Sequence, residues 1–492
     1  QRDLSSPDAD LDAWTAAATL SSTSNEGFVS SASAWILAFA LSSALASALA
    51  FLALVRGGMV KWREAQKAVV AFRETSLFSR SLFSLGRAES PRHFAPRVRS
   101  SDAMNEASLV GLTDLYCTGE LLAAVQRAGI WSDSKDFVDT PIKPPHVAGD
   151  VLLAWRRYPR DCRNDERERT DDEVRAFVAR YFEAGPARPV EGGEVDVDDA
   201  RATLPDWDPD GPAFATDLAD PKLRDFARRV QALWPSLARP PWTDPPATDH
   251  PGWRSTLLPL PRAAIVPGER FRETYYWDSY WTALGLLASG MRSTAAGMCE
   301  NMLSLVDAHG FMPNGARVYY LNRSQPPVLA STVAAVCGVG GTAGGTAGGG
   351  IELDAALAAR SLPTLAREWE HLTGPRRTVR VRSRRDPTAT HAMYRYWAYT
   401  DEPRPESWRE DVDVCANCES IDAKRRIYRD VASAAESGHD FGSRWLVTAG
   451  EDEVAPGGTS VGERRADPAS LASIRTTRIV PADLNGFMLR YA

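Results

Sequence analysis

Residues 266–281, VPGERFRETYYWDSYW, set Arg270, Phe271, Glu273, Tyr275, Tyr276, Trp277, Asp278 and Tyr280 directly behind a Pro267–Gly268 turn. That mixture suits a neutral sugar, whose C–H surfaces lie against aromatic faces while guanidinium and carboxylate groups bond its hydroxyls in fixed directions. A structural cluster of Trp and Tyr with satisfied polar tips would use the same residue types. Three later stretches share the character. GFMPNGARVYYLNRSQPP (310–327) carries Asn314, Arg323 and Gln325 around a turn, and PRPESWRED (403–411) carries Arg404 and Glu406 in a Pro-broken loop. AAESGHDFGSRW (434–445) sets Asp440 between Gly438 and Gly442. Each is punctuated by Gly or Pro after a helical run, where side chains project from a helical scaffold into a cleft.

In this order the four stretches resemble those of the trehalases, the family 37 glycoside hydrolases that split α,α-trehalose into two glucoses. The first is similar to the family's PGGRFxExYxWDxY signature. DSKDFVDTPIK (133–143), LPDWDPDGPAF (204–214) and IVPADLNGF (479–487) add to the match, which runs from about Ser108 to the end with insertions near 185–200 and 336–350. The resemblance implies an all-α fold, an (α/α)6 barrel or toroid with the sugar site at its mouth, trehalose as partner, and no cofactor or metal. By motif position it implies substrate contacts from Arg270, Phe271, Trp277, Asp278, Asn314, Arg323, Gln325, Arg404, Glu406 and Gly438, with Asp440 as general acid. The chemistry agrees, because a general acid must stay protonated beside the bridging oxygen, and partial burial can hold an Asp so. Phe441 and Trp445 flank Asp440 in sequence. An Asp capping the next helical turn is the plainer use of that residue.

Inversion at the sugar carbon requires a second carboxylate about 6.5–9.5 Å from the acid to activate water. The family draws this base from a Glu beyond a QWDxPxGW stretch, and neither is in this sequence, which stops at Ala492. The expectation is a trehalase chain lacking its C-terminal part, with the barrel correspondingly incomplete. The alternatives are a catalytically inactive, trehalase-like sugar-binding or sensor protein, or a substitute base among Glu273, Asp278 and Glu406. Two smaller departures are Glu269 in place of the second Gly of PGG, and His439, whose protonated imidazole would lower the pKa of Asp440.

The elements that must position these residues read as helices. LTDLYCTGELLAAVQRAGI, DDEVRAFVARYFEA, KLRDFARRVQALW, YWTALGLLASGM, ALAARSLPTLAREWEHLT and YRDVASAAESG carry apolar residues at helical spacing, and no strand-rich meander accompanies them. The region from about 185 to 221, rich in Pro, Gly and Asp, reads as a surface excursion, and GVGGTAGGTAGGG (338–350) as a flexible insertion lacking the GK[ST] of a phosphate loop.

The sequence ahead of this part is organised differently. Residues 1–27 form an acidic tail, 28–55 an uncharged run, and 56–107 a basic, Ser-rich and Arg-rich linker before a helical domain over 108–492. About 20 apolar residues span a bilayer as a helix, so Phe28 to Val55 predicts a single membrane anchor. The basic flank after it would place the large domain in the cytoplasm. Many relatives in the family work outside the cell, which leaves the side open.

Composition narrows the partners. A net charge of -7 over 492 residues excludes a general polyanion binder, so no nucleic-acid partner is expected. Six cysteines make no disulfide framework. Cys415 and Cys418 form a lone CxxC without the second pair or histidines of a zinc site, and read as ordinary thiols in a surface loop. A monomer is expected.

Overall fold

A computed structural model describes residues 111–158, 169–185, 204–241, 254–338, 354–418, 420–446 and 470–492. The expected tail, membrane run and linker over 1–107 lie outside these residues, as does the Gly run beyond Gly338. Among the described residues no helix is long and apolar enough to cross a membrane. Apart from the segment Thr216–Asp225, they belong to one unit. In that segment Arg224 Nη2 donates to the Leu218 carbonyl at 2.8 Å.

The chain is mostly helical, as expected. A helical stretch over 111–116 precedes α1 (Gly119–Arg127), α2 (Ser134–Asp139), α3 (Ala148–Arg157) and α4 (Asp171–Tyr181). Next come α5 (Pro221–Gln231), α6 (Leu233–Leu237), α7 (Tyr276–Ala288), α8 (Arg292–His309) and α9 (Leu329–Val336). The series ends with α10 (Ala355–Leu372), α11 (Trp408–Val414), α12 (Ile421–Glu436) and α13 (Ala482–Tyr491). Strands are few and short. β1 (Ala238–Arg239) pairs antiparallel with β2 (Ala264–Ile265), and β3 (Thr378–Arg382) with β4 (Thr390–Tyr394).

Local chemistry sets the helix ends. Thr170 and Glu173 close a capping box on α4. Asp354 accepts from the Leu357 amide to start α10, and Gly310, at φ 83°, ends α8 in the left-handed conformation that costs glycine nothing. Pro363 sits on the exposed face of α10, where solvent can meet the carbonyl its missing N–H leaves free. Helices α7, α8, α9 and α10 pack on one another over a core that includes Tyr276, Leu286, Met298, Met302, Val306 and Leu329. A second core gathers Leu372, Tyr396, Ile427, Val431, Trp445, Ile474 and Met488 beside α12 and α13.

The expected excursion over 185–221 is only partly an excursion. Leu204 is buried, and Asp206 accepts from the Thr294 amide at 3.0 Å and from its hydroxyl. A carboxylate from a distant loop thus meets a free N–H in the first turn of α8.

One buried carboxyl here has no cation bonded to it. Glu368 of α10 accepts from the Tyr491 hydroxyl at 2.7 Å and the Met312 amide at 3.4 Å, and Tyr276 also reaches it. Burial pushes its pKa up to about 7, against the lowering pull of those bonds. A folded value above the unfolded one means the folded state holds the proton more tightly. Stability is therefore lost as pH rises from the ordinary carboxyl range through about 7. Glu368→Gln is expected to abolish that slope and to raise stability above pH 7 by about 3 kcal/mol. Urea unfolding on either side of the window checks it; an unchanged slope would show that Glu368 is ionised throughout.

Candidate active site

The first motif starts from a tight reciprocal turn. The Gly268 amide donates to the Phe271 carbonyl and the Phe271 amide to that of Gly268, at 3.1 and 3.0 Å. Gly268 has φ 103° and Glu269 φ 51°. The left-handed backbone at 269 explains why glycine is the easier residue there; Glu269 bears a cost of about 1 kcal/mol. Leaving this turn, Arg270 donates from Nε and Nη2 to both oxygens of Asp133, at 2.5 and 2.9 Å, and from Nη2 to the Glu406 carbonyl at 3.3 Å. Asp133 also caps α2 through the Lys135 amide. Phe271 stays 44% exposed, edge-on to Tyr275.

Backbone pairing joins the first motif to the second. The Tyr276 amide donates to the Asn314 carbonyl, the Asn314 amide to the Arg323 carbonyl, and the Trp277 amide to Gln325 Oε1, all within 3.0 Å. Gly315 is required by close approach, because a Cβ there would lie 2.9 Å from the Tyr320 ring. The third motif enters through Arg323, whose Nη2 donates to Glu406 Oε1 at 2.7 Å. Arg404 is gripped by Asp411 of α11, which accepts from its amide at 2.8 Å, its Nε at 2.9 Å and its Nη2 at 2.6 Å.

The fourth motif follows the end of α12. Glu436, buried in the last turn, accepts from the Ser324 amide, the Trp397 amide and Arg377 Nη2 at 2.8, 2.8 and 2.5 Å, which fixes this helix end beside the second motif. Gly438 then turns at φ 68° against the Trp277 indole, and His439 packs edge-on to the same ring. Arg404 lies over the Phe441 ring, 5.0 Å from its centroid.

Electrostatics tie the motifs together. Burial raises Asp440 above the usual carboxylate range, while Arg323 and Arg404 pull it down and Glu406 pushes it up. Asp440 is itself exposed to solvent, which screens these charges. Burial and the neighbouring Asp440 charge raise Asp278 too. Burial works against the Glu406 carboxylate, yet Arg323 and Arg404 hold it below its ordinary value. Within this cluster Asn314 Nδ2, Arg323 Nε and Nη1, and Glu406 Oε2 are buried without a hydrogen-bond partner. Each such group costs about 1–3 kcal/mol unless something bonds it. Donors and an acceptor held in this state are ready for a ligand rich in hydroxyls.

A sequence profile described as Trehalase matches residues 129–492. The chain belongs to the trehalase family. It is 33% identical over 410 residues to the trehalase of Pimpla hypochondriaca, covering 83% of this chain and 60% of that protein. Against the trehalase of Homo sapiens it is 35% identical over 376 residues, 76% of this chain and 56% of that one. Against that of Arabidopsis thaliana it is 33% identical over 358 residues, 73% and 50%. The chain thus spans half to three fifths of the length of these relatives. A solved structure, neutral trehalase Nth1 from Saccharomyces cerevisiae, aligns with a TM-score of 0.28 and 25% identity over 41% of this chain and 37% of that one, too little to define the fold.

Every residue that the family motifs single out lies in this one constellation, with Phe271 at its exposed edge. Two expectations, on Glu273 and His439, need correction. Glu273 is no free base: it is fully buried between Lys135, Arg317 and the Tyr275 hydroxyl. Trp445, in a 3-10 turn over Ser443–Trp445, is buried in the second core, and its Nε1 donates to the His439 carbonyl, on the peptide that leads into Asp440. His439 faces Asp483 at 3.7 Å instead of pairing with Asp440. Asp133, Asp411 and Glu436, which hold the arginines and the loops, lie inside the quoted stretches, but nothing local in the sequence announces those partners.

Gly438 gives a sharp test of the packing. A Cβ there would lie 2.7 Å from Trp277 Cζ2, on a backbone that costs a non-glycine residue about 1–2 kcal/mol. Gly438→Ala is expected to displace the indole and to weaken sugar binding by roughly tenfold or more. Calorimetric titration with trehalose measures this, and unchanged affinity would place Trp277 outside the sugar site.

Proposed function

We propose that this chain binds α,α-trehalose and hydrolyses it to two glucose molecules with inversion, Asp440 protonating the bridging oxygen. The buried, unpartnered polar atoms of Asn314, Arg323 and Glu406 beside Asp440 carry this reading. Arg270, Phe271, Trp277, Asp278, Gln325, Arg404 and Gly438 complete the sugar contacts. The scaffold is proposed to be an (α/α)6 barrel with the site at its mouth, a reading supported by the mutual packing of α7 to α10 and by family membership.

The water-activating carboxylate is unassigned. Glu273 is locked away, and Glu406 is paired with Arg323 at a lowered pKa that makes it a poor base. Asp278, raised by burial and by the Asp440 charge, is the remaining candidate, and the loss of the other two supports a second reading, a sugar-binding member of the family that does not cleave. Trehalose titration and glucose release on the same preparation separate the two. Binding with turnover supports hydrolysis, binding without turnover supports the binder, and no binding to the folded chain defeats both. In the hydrolytic reading activity falls as pH rises through the Asp440 pKa, because only the protonated acid serves.

Attachment to a membrane through Phe28–Val55 is a separate proposal, resting on the uncharged run alone. Release of the full chain into the soluble fraction by alkaline carbonate would overturn it.

A further inference from the structure

The connection between α11 and α12 carries the CxxC pair, and it differs from the expected loop of ordinary thiols. Cys415 is buried and Cys418 half-buried. The Cys418 amide donates to the Cys415 carbonyl at 3.1 Å. Such a turn brings its end Cα atoms within about 7 Å, and a disulfide needs about 4.4–6.8 Å. The two thiols lie within hydrogen-bond reach of each other, and the Tyr428 hydroxyl also bonds Cys415. Both cysteines are free. Among the described residues no group of three metal-binding side chains includes them.

We propose that Cys415 and Cys418 form a dithiol site that a low-molecular-weight disulfide closes to an intramolecular bridge. The more accessible Cys418 gives up its proton and attacks one sulfur of the small disulfide. That S–S bond breaks, and one small thiol leaves with a proton. Cys415 then loses its proton and attacks Cys418, displacing the second small thiol. The protein loses two hydrogen atoms and the small disulfide gains them. Burial, with the charge of Cys418 adding to it, pushes the Cys415 thiol up to about 12, which fits a resolving group and not the first nucleophile. The bridge joins the end of α11, which carries Asp411 and so the Arg404 clamp, to the approach of α12, whose far end sets Gly438 and Asp440.

Native full chain incubated with oxidised glutathione, acid-quenched, alkylated after denaturation and digested gives a direct readout by mass. The expected peptide spanning 415–418 escapes alkylation, is lighter by two hydrogens, and is restored by dithiothreitol. Cys299 and Cys337, both buried, are expected to remain alkylatable. Cys415→Ser should stop at a stable glutathione adduct on Cys418, and Cys418→Ser should leave Cys415 unmodified. Recovery of both wild-type thiols in alkylated form would overturn the proposal. So would a glutathione adduct on Cys418 that never resolves, or ready modification of Cys415 in Cys418→Ser.

Discussion

Asp440→Asn is expected to lower the release of glucose from trehalose by roughly 10²–10⁴-fold, the usual contribution of a positioned acid. Asn keeps the size of the side chain and the backbone turn after Gly438, so the motif retains its shape. What disappears is the proton for the leaving oxygen. Arg323 and Arg404 keep their partners Glu406 and Asp411, which hold them independently of Asp440. Trehalose affinity should consequently stay within a few-fold. A pH series adds a second readout: the decline of activity toward high pH belongs to the Asp440 carboxyl and should vanish in the variant. Retention of more than a tenth of the rate would remove Asp440 from the acid role.

Glu273→Gln is expected to destabilise the fold by about 3–5 kcal/mol, the cost of leaving a buried charge without its partner. Lys135 Nζ lies 2.5 Å from Asp139 and 3.0 Å from Glu273, and Arg317 Nε lies 2.8 Å from Glu273 and 3.2 Å from Asp139, all four side chains fully buried. Two positive and two negative charges are buried there, and Arg272 reaches Asp139 from the half-buried edge at 3.4 Å. Gln preserves the volume but leaves two cations sharing one carboxylate. Burial alone would raise Glu273, yet Lys135, Arg317 and the Tyr275 hydroxyl hold its pKa well below the ordinary range. A depressed folded value means its contribution is present above the unfolded pKa and is lost as pH falls through the folded one. Urea midpoints should therefore differ most near neutral pH and converge in acid. Arg175→Ala, which breaks an exposed pair with Asp172 and one bond to the Ala128 carbonyl, serves as the control and should move the midpoint far less.

Spacing and residue type picked out residues that the fold brings together, but not what holds them. The motif residues were legible because each sits in a short, Gly- or Pro-punctuated loop whose chemistry is local. Glu273 looked like a possible base because its partner Lys135 lies 138 residues away, and no local pattern announces such a pair. Asp133 stood inside a recognised motif, yet its grip on Arg270 spans 137 residues. The β3–β4 hairpin was missed because only β3 alternates, as TVRVR over five residues, while β4, THAMY, shows no such period and both strands are largely exposed. Helices α4, α7, α10 and α12 were readable from their apolar stripes, and Pro363 did not end α10 because it lies on the outer face.

The long reach of these clamps bears on how the protein assembles its candidate site. Arg270–Asp133, Lys135–Glu273 and Ser324–Glu436 join residues 137, 138 and 112 apart. Chain entropy must be spent to close such loops before any of these bonds can form, so contacts of high sequence separation arrive slowly. Helices such as α8 and α12 can form early on local bonds. The proposed sugar pocket, assembled from four loops that these distant partners align, is expected to form in the last step of folding. In refolding experiments the recovery of sugar binding should therefore lag the recovery of helical signal.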